Sequence, residues 1–165
     1  MKNVTEHLTE YAGYHRDKRN IATHFVGIPM IVIALGSLFG AIHPFVAWGV
    51  FGVSALAFYL RLDVRLGLAM VAFNGGATWL GLHFGLWTGV SIFAAGWVLQ
   101  FIGHWFEGKK PAFVDDLVGL LVGPLFIVTE AGFMLRLRKP LQQAIEEKVG
   151  PTRINPRRGD VPAER

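Results

Sequence analysis

The chain has 165 residues, enough for one domain, of which 52% are hydrophobic, and its formal net charge is +4. It contains no cysteine, which excludes disulfides, thiolate metal sites and cysteine nucleophiles. The basic residues bracket apolar blocks and accompany no nucleic-acid motif, which argues against a nucleic-acid partner.

Residues 1–20 are polar and charged and lack the apolar core of a cleavable signal peptide. Val4, Leu8, Tyr11 and His15 recur at i, i+4, i+7 and i+11, one stripe of an amphipathic helix expected at a membrane interface. Asn20 is a candidate cap for the helix that follows. Residues 21–60 and 66–106 contain no Asp, Glu, Lys or Arg. A membrane-spanning helix needs about 20 mostly apolar residues, so each block is the length of two spans joined by a tight turn. The predicted spans are 23–39, 44–60, 66–82 and 88–106, with Pro44 in a first helical turn and "RLDVR" (61–65) as a charged turn. Lys and Arg flank the N-terminus, the 61–65 turn and the 107–110 turn, which places these in the cytoplasm. The 41–44 and 83–87 turns carry no Lys or Arg and should face outward.

The apolar segment 113–135 breaks this regularity. It carries Asp115, Asp116, Pro124 and Glu130, and as a fifth span it would leave Arg136, Arg138 and Lys139 outside. A broken, re-entrant or interfacial hairpin that returns the C-terminus to the cytoplasm is therefore expected. Residues 140–148 suit a short polar helix. Pro151, Pro156, Pro162 and the basic residues around them read as a disordered tail over 149–165, after a single membrane-embedded helical domain over 1–148. Gly36 and Gly40, Gly81 and Gly85, Gly85 and Gly89, and Gly119 and Gly123 share the four-residue spacing that permits close helix packing in lipid, and such faces also offer a route to oligomers. The predicted fold is all-α: a polytopic membrane bundle of four spans, an amphipathic N-terminal helix and a broken or re-entrant C-terminal segment.

The polar residues gather at one end of it. Gln100, His104 and Glu107 fall at i, i+4 and i+7 on the cytoplasmic end of the fourth span. Asn20 and His24 are one turn apart at the start of the first, and His15 lies on the apolar stripe. His43 and His83 fall in the outer turns. Polar groups at membrane depth are costly and usually have a function. His104 and Glu107, at i and i+3, have a spacing that can bring a nitrogen and an oxygen to one metal, and imidazole with carboxylate suits non-haem iron, manganese or zinc. On one unbroken helix His15 and His24 would point in roughly opposite directions, so a shared site requires a bend within "RDKRN" (16–20). Lys109 and Lys110 read as a stop for the fourth span and would also suit an acidic headgroup beside a metal. On the residues alone, a haem-binding bundle, a non-catalytic scaffold or transporter, and a zinc hydrolase all stay open.

"YHRDKRNIATHFVGIP" (14–29), "QFIGHWFEGKKPAF" (100–113) and "GPLF" (123–126) resemble the membrane-embedded Fe(II)-dependent 2-hydroxy fatty acid dioxygenases, a family that includes a yeast enzyme of phytosphingosine breakdown and bacterial relatives. The similarity covers roughly residues 5–137. It implies an α-oxidation of 2-hydroxy fatty acids, with O2, to fatty acids one carbon shorter. It also implies Fe(II) held by His15, His24 and His104, with Glu107 as a fourth ligand or as an outer carboxylate that fixes an imidazole. Asn20 and Gln100 would then be hydrogen-bonding groups around metal or substrate, and Lys110 a partner for the substrate carboxylate. The short cysteine-free chain and basic tail look bacterial, which points to an inner-membrane protein with both termini cytoplasmic.

Overall fold

The computed structural model describes residues 2–154; of the expected tail, residues 155–165 lie outside them. The described chain is helical: α1 (Val4–Gly13), α2 (Lys18–Ile42), α3 (Pro44–Leu62), α4 (Val64–Gly81), α5 (Leu86–Glu107), α6 (Gly119–Met134) and α7 (Lys139–Val149). Among the described residues the extended backbone amounts to one isolated parallel bridge, between Asp17 and Arg153.

Local chemistry sets the boundaries. Asn3 and Glu6 form a capping box at the start of α1, whose buried side is Leu8, Tyr11 and Ala12. His43 caps α3 ahead of Pro44, and the α3 backbone widens into a π turn over Ala55–Tyr59. Asp63 caps α4 by accepting from the Leu66 N–H at 2.9 Å. α5 stops at Gly108, whose φ of +70° is the left-handed conformation that favours glycine after a helix. Asn20 does not cap α2. Asp17 does, its Oδ1 accepting from the Arg19 N–H at 2.8 Å, so the helix starts earlier than predicted and Asn20 falls in its first turn.

Among the described residues three helices are long and apolar enough to cross a membrane: Lys18–Ile42, Pro44–Leu62 and Leu86–Glu107. A fourth crossing results if α6 and α7, bent by 114° at their junction, count as one broken span. The turn between them uses two non-glycine residues with positive φ, Arg136 and Arg138. The helix expected as the third span is present as α4, but it is not among the apolar three. Arg65, Asn74 and four glycines dilute its hydropathy, and Asn74 is buried in a hydrogen bond with Tyr59.

The described residues form two compact units, 2–24 with 101–154, and 25–100. In the second unit the glycines serve close helix packing. A methyl group at Gly81 would strike the Ile33 carbonyl and lie 2.8 Å from the Ser37 nitrogen, and one at Gly36 would lie 3.0 Å from the Thr78 Cα. In the first unit α1 packs against α6 and α7, with Tyr11 against Phe126 at 5.1 Å between ring centroids. Leu8, Leu125, Leu141 and Ile145 complete a buried apolar layer.

Gly81→Ala forces backbone against backbone and is expected to destabilise the fold by about 1–3 kcal/mol, the usual cost of overpacking. Gly75→Ala meets open space and gains helix propensity. Thermal unfolding in detergent should show the first variant melting below the native protein and the second at or above it.

Candidate metal centre

The centre is assembled from two helix ends and the break between α1 and α2. α1 ends at Gly13, whose carbonyl accepts from Lys109 Nζ at 2.7 Å, a cation at the negative end of the helix. Residues 14–17 turn the chain, and α2 restarts under the Asp17 cap. This break brings His15 back toward His24, so the bend that a shared site required is present.

His15 and His24 are almost fully buried and His104 is 7% exposed. One ring nitrogen from each lies within 4.8 Å of the other two. The ring planes stand edge-on, with centroids 4.6 Å apart for His15 and His24, 4.9 Å for His15 and His104, and 5.1 Å for His24 and His104. Tyr11 stacks on His15 with centroids 4.2 Å apart and planes inclined by 5°.

The hydrogen bonds decide the tautomers. His15 Nδ1 lies 2.7 Å from the Tyr11 carbonyl, and His24 Nδ1 lies 2.9 Å from the Asn20 carbonyl. A carbonyl can only accept, so both Nδ1 atoms carry the proton and donate it. Each neutral ring then presents a lone pair at Nε2, and these two atoms are 3.0 Å apart. A proton between them would require an imidazolium. Burial, reinforced by His24 and His104, holds His15 well below the ordinary histidine range, so that proton is disfavoured. A metal cation satisfies both lone pairs. Two imidazole nitrogens bound at about 2.1 Å and at a right angle would stand about 3.0 Å apart. His104 offers a third donor, and its buried Nδ1 has no hydrogen-bond partner within the protein. The residues present fit a divalent ion.

The family described as 2-hydroxy-palmitic acid dioxygenase Mpo1-like matches residues 1–135. The chain belongs to that family. It is also similar to the 2-hydroxy-palmitic acid dioxygenase MPO1 of Saccharomyces cerevisiae, at 26% identity over 161 residues, which is 90% of this chain and 92% of the yeast protein. No solved structure matches. The Mpo1-like match includes all three histidines and ends before α7.

The other expected site residues fall differently. Glu107 is 8% exposed, and its oxygens accept three N–H groups: Arg16 N at 2.9 Å on Oε1, then Asp17 N at 2.8 Å and Asn20 Nδ2 at 2.9 Å on Oε2. Asn20 Nδ2 also donates to the Tyr14 carbonyl at 3.2 Å, which fixes the amide orientation and leaves Oδ1 buried without a partner. Lys110 pairs with Asp115, whose other oxygen accepts from the Tyr14 hydroxyl at 2.7 Å. These two partners hold the Asp115 carboxyl below its usual range. Gln100 belongs to the second unit, where its buried Nε2 fills the space over Gly27 and has no hydrogen-bond partner.

Three contributors were not singled out from the sequence. Tyr11 supplies both a stacking ring and the carbonyl that sets the His15 tautomer, and its position one helical turn before His15 was the available signal. Gly103 lets α5 lie against the start of α2, since a methyl group there would overlap Thr23 Oγ1 and Asn20 Oδ1 and come within 3.1 Å of His24 Nδ1. Arg16, buried, donates from Nε to the Ala12 and His15 carbonyls and from Nη1 to the Gly150 carbonyl, with the Glu130 carboxylate 4.0 Å away. A cavity of about 850 Å³ lies along α1, lined by Tyr11, Tyr14, Lys109, Lys110, Val122 and Lys148 among others.

The purified protein is expected to bind one divalent ion per chain. His15→Ala, His24→Ala and His104→Ala should each weaken it by at least the roughly 10–100-fold that follows loss of an outer partner of a metal site. Titration with Co(II) against a chelator measures this, with circular dichroism as the folding control. Retention of native affinity in all three would exclude the cluster as the metal centre.

Proposed function

We propose that the protein is a membrane-embedded non-haem iron dioxygenase that converts 2-hydroxy fatty acids into fatty acids one carbon shorter. The observation that carries this reading is the buried trio of His15, His24 and His104, whose lone pairs converge within 4.8 Å in a chain of the Mpo1-like family. The yeast relative is named for its action on 2-hydroxy-palmitic acid, which supplies the substrate class. Iron held by these histidines would couple reduction of O2 to oxidation of the substrate. The reaction R-CHOH-COOH + O2 → R-COOH + CO2 + H2O balances in atoms. The substrate provides all four electrons, so no flavin, nicotinamide or oxo-acid cosubstrate is needed.

Within this reading each residue has a task. The Tyr11 and Asn20 carbonyls keep His15 and His24 neutral at Nε2 and ready to bind the ion. Asn20 Oδ1, a buried acceptor with no partner, is suited to accept a hydrogen bond from the substrate 2-hydroxyl. Lys110, on the wall of the cavity that Tyr11 also lines, would exchange Asp115 for the substrate carboxylate. The three apolar helices would hold the protein in a lipid bilayer, with the basic flanks and both termini on the cytoplasmic side.

The cluster is all imidazole, whereas the common oxygenase set has two histidines and a carboxylate. Three imidazoles also suit zinc, and a zinc-dependent hydrolytic site is the second reading. Protein purified without oxygen should carry iron rather than zinc. Loaded with Fe(II) and given O2 and 2-hydroxypalmitate, it should release CO2 and pentadecanoic acid, measured by mass spectrometry. Folded Fe(II)-loaded protein that leaves 2-hydroxypalmitate intact would reject the dioxygenase reading.

A further inference from the structure

The sequence leaves Glu107 between two roles, metal ligand or outer carboxylate touching an imidazole. Its hydrogen bonds describe neither. Oε1 takes the Arg16 N–H, and Oε2 takes the Asp17 N–H and the Asn20 amide. The two backbone donors are the residues immediately after His15. The side-chain donor, Asn20, is the residue whose carbonyl orients His24. Glu107 itself lies one turn after His104 on α5. One carboxylate thus ties together the three chain segments that carry the three histidines, without appearing among the converging ligand atoms.

We infer that Glu107 is a positioning residue: it clasps the 14–17 loop and Asn20 to the end of α5, and so sets the spacing of His15, His24 and His104 from outside the ligand set. The inference rests on the reading of the three histidines as a metal centre. Charge is essential to the clasp. A carboxylate offers acceptors on both oxygens, and three N–H groups use them. Glutamine has nearly the same shape but one acceptor oxygen, so in Glu107→Gln an amide N–H must face the Arg16 N–H or face Asp17 N–H together with the Asn20 amide. A buried donor is then left without a partner, and the loop shifts.

Ligand and clasp are separated by spectroscopy. Co(II) is titrated into native protein, Glu107→Gln and Asn20→Ser, in detergent, with chelator competition for affinity and the visible d–d bands at saturation for the ligand set. A clasp predicts that Glu107→Gln loses about 10–100-fold in affinity, the scale for outer partners of metal sites, while its saturated spectrum matches the native one. It also predicts that Asn20→Ser, which removes one arm, loses affinity with the same unchanged bands, and that the double variant loses less than the product of the two. A changed band pattern at saturation in Glu107→Gln would make Glu107 a ligand and overturn the proposal. Native affinity in Glu107→Gln would overturn it as well. Should Glu107→Gln not fold, native affinity in folded Asn20→Ser would overturn it, and weakened affinity with native bands would support it. Absence of Co(II) binding by the native protein would instead reject the metal centre on which the proposal rests.

Discussion

Two buried imidazoles, each obliged to donate its Nδ1 proton to a main-chain carbonyl, face each other through Nε2 lone pairs 3.0 Å apart. Left alone this contact is repulsive, and it sits where water cannot relieve it, since His15 and His24 are almost fully buried. The usual relief, a shared proton, is opposed by the same burial. A fold maintains such a contact only when surrounding structure over-determines it, and the first unit does so from several sides. Tyr11 lies flat on the His15 ring, Phe126 backs both, and Gly103 removes the side chain that would otherwise keep α5 away from His24. A cation between the two nitrogens would relieve that repulsion.

The loop that carries His15 shows how such a site is held without wasting hydrogen bonds. Tyr14 N and His15 N donate back to Tyr11 and Ala12, Arg16 N and Asp17 N to Glu107, Lys18 N to Arg153, and Arg19 N to the Asp17 side chain. The carbonyls are equally occupied: Tyr14 by the Asn20 amide, His15 by the Arg16 guanidinium, Arg16 by Arg153 N, Asp17 by Ile21 N. Every main-chain group from 14 to 17 has a partner, so a non-helical segment can be buried. Two of those partners, Glu107 and Asp17, are carboxylates at the positive end of α2, where the helix dipole favours negative charge. The C-terminal stretch after α7 contributes through Arg153, although it lies beyond the region that matches the Mpo1-like family.

Much of this was readable in the residues. Charge-free blocks and their flanks marked the long helices, and the stripe through Leu8, Tyr11 and His15 marked the buried side of α1. Spacing on α5 placed His104 and Glu107 together, and the impossibility of His15 meeting His24 on one helix located the break. What stayed hidden has a common cause: it depends on main-chain atoms or on partners remote in sequence. No pattern announces that the Tyr11 carbonyl fixes an imidazole tautomer, or that Glu107 is occupied by N–H groups 90 residues away. Asn20 and Asp17 are both good capping residues, and which of them caps α2 was decided by Glu107, which draws the Asn20 amide inward. The α4 segment has the length of a span, yet Arg65, Asn74 and four glycines leave it less apolar than the three helices that qualify.

The "RDKRN" run forms the bend, and its charges are largely satisfied within the protein. Arg16 donates to the Ala12, His15 and Gly150 carbonyls and lies 4.0 Å from Glu130, so its buried charge has a carboxylate close by. Asp17 is buried against Arg19, whose guanidinium also lies 4.6 Å from the centre of the Phe106 ring. Glu107 keeps a carboxylate beside the loop with N–H groups, rather than a cation, as its partners. N–H donors satisfy a carboxylate without cancelling its charge. The negative potential of Glu107 would therefore favour a cation among the three imidazoles, even though its oxygens face the loop.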